Sequence, residues 1–128
     1  MRLNQVTLAA IDIEKSLHWY LNLGFRLIVS TSAYKRLSTP NGESTLSLQA
    51  TNQPPNAASA KVYLEFESAQ QLDQQVKRLV KLGSQFEMKP IDQTWLWREA
   101  WLKDPTGNRI CLYFAGDNRL NPPWRVRS

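Results

Sequence analysis

The sequence predicts an α+β fold: two β-α-β-β-β modules whose eight strands form one curved, cup-shaped sheet with both helices on its outer face. Three observations predict it. Two amphipathic helix stripes recur at a constant spacing, strand-like alternation flanks each of them, and each half closes with a similar turn and strand.

The first strand lies in "MRLNQVTLAA", where Val6, Leu8 and Ala10 alternate with Gln5, Thr7 and Ala9, the period of a half-buried strand. In "DIEKSLHWYLNLG" the apolar residues Ile13, Leu17, Tyr20 and Leu21 follow the i, i+4, i+7, i+8 stripe of a helix. Asp12 is placed to cap it, and Gly24 suits the left-handed residue that ends it. "FRLIVS" and "YKRLS" then read as strands, and "TPNGESTLSLQ" as a turn feeding a fourth. "TNQPPNAASA" is polar, Pro-bearing and linker-like.

The second half repeats the first. Val62, Leu64 and Phe66 alternate with Lys61, Tyr63 and Glu65. In "SAQQLDQQVKRLVKLG" the stripe is Leu72, Val76, Leu79 and Val80, followed by Gly83, and each of these five lies 59 residues after its counterpart. Ser68 with Gln71 makes a capping-box pattern. The strands before the helices are offset by 56 residues, as Val62 is from Val6, because the second helix starts three residues earlier. "TWLWREAWL" reads as the next strand, and "DPTGNRICLY" closes the half as "TPNGESTLSLQ" closes the other. Aligning Gly42 with Gly107, with one extra residue in the first copy, sets Ser47 opposite Cys111. One domain of 1–128 is therefore expected: module one about 3–50, linker 51–60, module two about 61–115 and a tail 116–128.

Neither half covers both faces of its own sheet, so the helices take one face and the other lines a concavity. Period-two alternation assigns to that inner face Gln5, Thr7, Ser47, Gln49, Lys61, Tyr63, Glu65, Trp97, Glu99, Trp101, Cys111 and Tyr113. The aromatic members suit planar or cationic organic ligands, or else fill the cup themselves. The tail segment "NRLNPPWRVRS" does not continue a strand through Pro122-Pro123; it is expected to close the cup mouth or dock on a second subunit, with Trp124 as anchor.

Composition excludes several classes. With 42% hydrophobic and 21% charged residues the chain is globular rather than disordered. No apolar run approaches the roughly 18 residues of a membrane span, and the opening residues lack a secretory signal pattern. A lone cysteine makes no internal disulfide, which points to the cytoplasm. The net charge of +5 sits partly at Lys77, Arg78 and Lys81, where a helix C-terminus favours cations, and partly at Arg119, Arg125 and Arg127. No nucleic-acid motif accompanies it, so neither nucleic acid nor membrane is expected as a partner.

"LNQVTLAAIDIEKSLHWYLNLGF" and "WLKDPTGNRICLYF" resemble the vicinal oxygen chelate superfamily, which includes glyoxalase I, extradiol dioxygenases, fosfomycin resistance enzymes and bleomycin resistance proteins. Trp19-Tyr20 stands where that family has an aromatic-Tyr pair, and Asp104 to Asn108 match its Asp-Pro-x-Gly-Asn turn. The resemblance runs from about Leu3 to Ala115 and implies metal ligands at Gln5, Ser47, Lys61 and Cys111. Three of the four depart from the family's choices, since a Glu, a His and a Glu are usual where Ser47, Lys61 and Cys111 stand. The only histidine, His18, lies on the first helix off its apolar stripe. No metal and no cofactor is therefore expected.

Two readings of Lys61 and Cys111 stand side by side. In one, Lys61 supplies the charge a metal would have supplied and lowers the thiol pKa; in the other, Lys61 reaches solvent and Cys111 packs as a small hydrophobe. Lys61, Glu65 and Cys111 are the catalytic candidates, with Glu65 and Glu99 either general bases or rim carboxylates. The resemblance then implies a small-molecule-binding protein, commonly a homodimer, holding an aromatic or oxygen-bearing organic ligand with the usual divalent site degenerate. The alternatives are a lyase or dioxygenase with an atypical metal or metal-free site, and a regulatory module with a vestigial pocket.

Overall fold

The computed structural model describes residues 1–126; Arg127, among the tail cations named above, lies outside the described residues. Ten principal elements follow one another as β1 (Gln5–Ala10), α1 (Ile13–Asn22), β2 (Arg26–Ser30), β3 (Tyr34–Ser38), β4 (Thr45–Ala50), β5 (Val62–Glu65), α2 (Ala69–Lys81), β6 (Phe86–Asp92), β7 (Arg98–Lys103) and β8 (Arg109–Phe114). A short 3-10 turn, Gly116–Asn118, follows β8. The eight strands divide into two four-stranded mixed sheets of matching order, β1-β4-β3-β2 and β5-β8-β7-β6. The chain forms two compact units: one holds Met1–Ser59 with Asp104–Asn108, the other Ala60–Lys103 and the chain from Arg109 onward.

In the first unit β1 pairs in parallel with β4, while β3 runs antiparallel to both β4 and the edge strand β2. Asp12 caps α1, its carboxylate accepting from the Lys15 amide at 3.1 Å, and Gly24 ends the helix at φ 100°. The helix packs on β3 and β4. Ile13, Leu17 and Tyr20 of its stripe are buried with Leu8, Leu37, Leu46 and Leu48 of the sheet. The turn Asp104–Asn108 belongs to this core. Asp104 Oδ1 accepts from the amides of Thr106, Gly107 and Asn108, and Oδ2 accepts from the Tyr20 hydroxyl at 2.7 Å. Burial, then the Asp104 charge, pushes the Tyr20 phenol well above its ordinary value.

The second unit repeats the plan: β5 is parallel to β8, and β7 lies antiparallel between β8 and the edge strand β6. Ser68 caps α2 by accepting from the Gln71 amide at 3.1 Å, and Gly83 ends it at φ 97°. The helix packs on β6 and β8, burying Leu72, Val76 and Leu79. The registers superpose as the repeat predicts: Thr7↔Ser47 and Leu8↔Leu48 in one sheet answer Tyr63↔Cys111 and Leu64↔Leu112 in the other.

Three expectations need correction. The strand read from Thr94 begins only at Arg98, because Trp95 and Leu96 form the β6–β7 turn, with Leu96 at φ 67° and the Gln93 amide donating to Trp97 O. The pattern of tryptophans at alternate positions imitates a strand that the positive φ breaks. The β-α-β-β-β plan calls for a strand after α2, but the sequence does not locate β6, since Pro90 interrupts it; as an edge strand with register shifts on either side of Met88 it tolerates a residue without an amide donor. The last stripe position of each helix, Leu21 and Val80, is 36% and 39% exposed rather than packed. Among the described residues no helix is long and apolar enough to cross a membrane.

Candidate functional site

Each sheet turns one face to its helix; by strand alternation Gln5, Thr7, Ser47, Gln49, Tyr63, Glu65, Glu99, Trp101, Cys111 and Tyr113 stand on the other, while Lys61 and Trp97 lie just before strands β5 and β7. In the first unit that other face is polar. Ser47 is fully buried, accepts from Gln5 Nε2 at 2.8 Å, and shares a 2.6 Å hydrogen bond with the Tyr34 hydroxyl. Arg36 Nε donates to that phenol at 2.9 Å, and Gln5 Nε2 also reaches Thr7 Oγ1 at 3.2 Å. Gln5 Oε1 accepts from the Thr45 hydroxyl. The Ser47 bond, then Arg36, holds the Tyr34 phenol below its ordinary pKa. Gln49 stands apart from this chain, exposed and donating to Ala33 O at 3.2 Å.

In the second unit the face is aromatic. Tyr63 meets Trp97, Trp101 and Tyr113 edge-on at ring-centroid distances of 6.1, 5.4 and 5.8 Å, and Trp97 stacks on Tyr113 at 4.5 Å and 13°. Tyr63 is 46% exposed, so the cluster opens at that ring. Two cations lie against Trp101: Arg109 at 4.7 Å and Lys61 at 5.9 Å from the ring centroid. Arg109 also faces Glu87 at 3.6 Å, whereas Lys61 makes no ion pair among the described residues.

Beneath the rings lie Cys111 and Glu99. Glu99 is not the rim carboxylate it was weighed as: it is 4% exposed, and its two oxygens accept the indole N–H groups of Trp95 at 2.8 Å and Trp101 at 3.0 Å. Those bonds replace the water that burial removes. Cys111 is fully buried, and burial followed by the Glu99 charge pushes its thiol up to about 12. This goes against the reading in which Lys61 lowers the thiol pKa and agrees with the one in which Cys111 packs as a small hydrophobe. The Lys61 ammonium sits over Trp101, and Lys61 lies just before β5, while the row of Cys111 holds Tyr63 and Trp101. Glu65 is exposed and pairs with Arg119 at 3.3 Å. The start of the tail thus reaches this face, where Asn118 O also accepts from Trp97 Nε1 at 3.2 Å, while Trp124 remains 57% exposed.

A model of the Glyoxalase/Bleomycin resistance protein/Dioxygenase superfamily matches residues 2–112. The chain belongs to that superfamily. Solved superfamily structures resemble it closely in fold. A glyoxalase/bleomycin resistance protein/dioxygenase from Nocardioides matches with TM-score 0.82 and 19% identity over 99% of this chain and 90% of the other. Its counterpart from Alicyclobacillus acidocaldarius matches at 0.79 and 16% over 94% and 96%. A lactoylglutathione lyase from Agrobacterium tumefaciens matches at 0.71 and 16% over 88% and 92%. At such identities the likeness speaks to the fold alone. No curated protein matches the chain.

The superfamily resemblance puts metal ligands at Gln5, Ser47, Lys61 and Cys111, and this donor set does not fit a divalent ion. Gln5 and Ser47 are hydrogen-bonded to each other, an ammonium has no lone pair to give, and Cys111 alone remains as a soft donor among them. Among the described residues no three His, Cys, Asp or Glu side chains are grouped so as to hold a metal. Sequence reasoning missed Tyr34, Arg36 and Arg109: Arg109 shares the strand period of Cys111 on β8, whereas Tyr34 and Arg36 lie on β3, where no residue was named. Arg119 carried no signal, lying beyond the last strand.

Proposed function

We propose that this superfamily member is a binding protein for a small aromatic, oxygen-bearing organic molecule, held without a divalent metal on the face around Tyr63 and Trp101. One observation carries the reading: a half-exposed aromatic ring beside an indole against which two cations lie. A planar ligand gains by stacking there, and its anionic oxygen finds Lys61, which has no other charge partner among the described residues. The buried thiol and the indole-bound Glu99 keep the floor of the face fixed.

Titration with 2-naphthoate, followed by tryptophan fluorescence and thermal unfolding, tests this. At a hundredfold excess over Kd the ligand should stabilise the protein by about 2.7 kcal/mol. Lys61→Met should weaken it, Trp101→Ala should abolish it, and cyclohexanecarboxylate should bind less well. Equal binding of the saturated analogue, or stoichiometric divalent metal in the purified protein that disappears on Cys111→Ala, would overturn the proposal.

A further inference from the structure

The helix-bearing side of the second unit carries a groove that the aromatic face does not use. Its volume is about 480 Å³, within the size range of small-molecule sites. Val76 and Val80 of α2 and Pro90 of β6 supply apolar lining, and Lys77, Lys81 and Lys89 supply cations. The Arg98–Asp73 pair completes it. Helical spacing of three and four residues sets Asp73, Val76, Lys77, Val80 and Lys81 along one stripe. Across from them, Lys89 and Pro90 fall where β6 shifts register against β7. Proline also has no amide to offer, which keeps that side apolar.

The charges are unbalanced. Among the described residues Asp73 is the only acid lining the groove, and Arg98 occupies both its oxygens, at 2.9 and 3.1 Å, while also holding Asp92 at 3.1 Å. Lys77, Lys81 and Lys89 therefore have no acidic partner among the described residues. The helix macrodipole accounts for Lys81 in the last turn of α2, but not for Lys89, which belongs to a strand. Three uncompensated ammonium groups beside an apolar surface repel a cation and are wasted on a neutral ligand. They complement an anion with an apolar body.

We propose that this groove binds an amphipathic small-molecule anion, its apolar part on Val76, Val80 and Pro90 and its anionic head among Lys77, Lys81 and Lys89. The site is separate from the aromatic face and stands or falls independently of it. Sodium decanoate, below its micelle concentration, is titrated into the isotope-labelled full chain and followed by amide chemical shifts. The shifts should gather at Val76 to Lys81 and around Lys89. Because the three lysines are exposed, a Lys77→Gln, Lys81→Gln, Lys89→Gln variant should keep the fold yet weaken decanoate about tenfold. In the parent protein, raising salt from about 0.05 M to about 0.5 M should weaken it as well. Decyltrimethylammonium should leave these amides unmoved. Shifts centred on Tyr63 and Trp101, or affinity indifferent to the triple substitution and to salt, would overturn the site. So would equal binding of the cationic amphiphile, or lysine-dependent sedimentation with phosphatidylglycerol vesicles while decanoate stays silent.

Discussion

Cys111 lies in register between Tyr63 and Trp101, beside the Glu99 carboxylate, in a place water does not reach. Repeat alignment finds the position of this residue, because Ser47 and Cys111 do occupy equivalent rows. It does not find its chemistry. The sign of the pKa shift depends on burial and on which charge comes nearest; the sequence offered Lys61 or simple burial, and the fold supplies burial with Glu99. A thiol held near 12 is a protonated, unreactive thiol at neutral pH. A thiol-reactive probe at pH 8 is therefore expected to label Cys111 only as fast as the native structure opens, and labelling at the rate of a free thiol would refute this. The same shift has a consequence for stability. Below pH 9.0 the thiol is protonated in folded and unfolded chains alike; above it only the unfolded chain loses the proton, so stability falls as pH rises toward about 12. Tyr113, raised from 10.0 to about 12 by burial and by Glu65, adds to the fall from pH 10.0 upward. Alkaline unfolding curves should flatten in Cys111→Ala and flatten further when Tyr113→Phe is added, while Glu99→Gln should bring the thiol pKa down.

At the scale of elements, both helices were legible because stripe, cap and stop coincide in each copy: Asp12, Ile13 to Tyr20 and Gly24, then Ser68, Leu72 to Leu79 and Gly83. The repeat calls for strand β6 but its position was not legible, since an edge strand with a proline and a shifted register lacks the alternation that marks its neighbours. The turn Asp104–Asn108 was legible as a turn but not as an anchor. Its meaning lies in contacts about 90 residues away in sequence: Tyr20 to Asp104, Ser16 to Thr106 and the Ile11 amide to Thr106. Asp104 is buried and accepts five hydrogen bonds, so deleting one donor leaves a charged oxygen partly unsatisfied. Tyr20→Phe is expected to cost about 1–3 kcal/mol in denaturant unfolding. Gly107→Ala should cost about 1–2 kcal/mol through its φ of 100° rather than through crowding, because the nearest foreign atom to an added Cβ is Pro55 Cγ at 3.9 Å. If Gly107→Ala proved neutral, the left-handed geometry of this turn would be wrong.

For the whole molecule, the same turn makes the order of the chain and the order of the structure disagree. The repeat invites a cut in the linker 51–60, yet the first unit is completed by Asp104–Asn108, which the chain supplies between β7 and β8. A fragment of residues 1–59 would keep β1 through β4 and α1 but lose four hydrogen bonds to three partners. These are Asp104 for the Tyr20 hydroxyl, Thr106 for Ser16 and for the Ile11 amide, and Asn108 for the Ala9 carbonyl. Tyr20 and Ser16 are both fully buried in the intact chain. Orphaned polar groups at about 1–3 kcal/mol each approach the whole stability of a small domain, about 5–15 kcal/mol. The fragment 1–59 is therefore expected to lack dispersed amide resonances, while the intact chain cut enzymatically within 51–60 should keep both pieces together through the retained turn, co-eluting in gel filtration. Adding Asp104→Ala to the cut protein should loosen the pieces. A well-folded 1–59 fragment would show instead that the repeat unit is self-sufficient, and that the turn decorates the first unit without completing it.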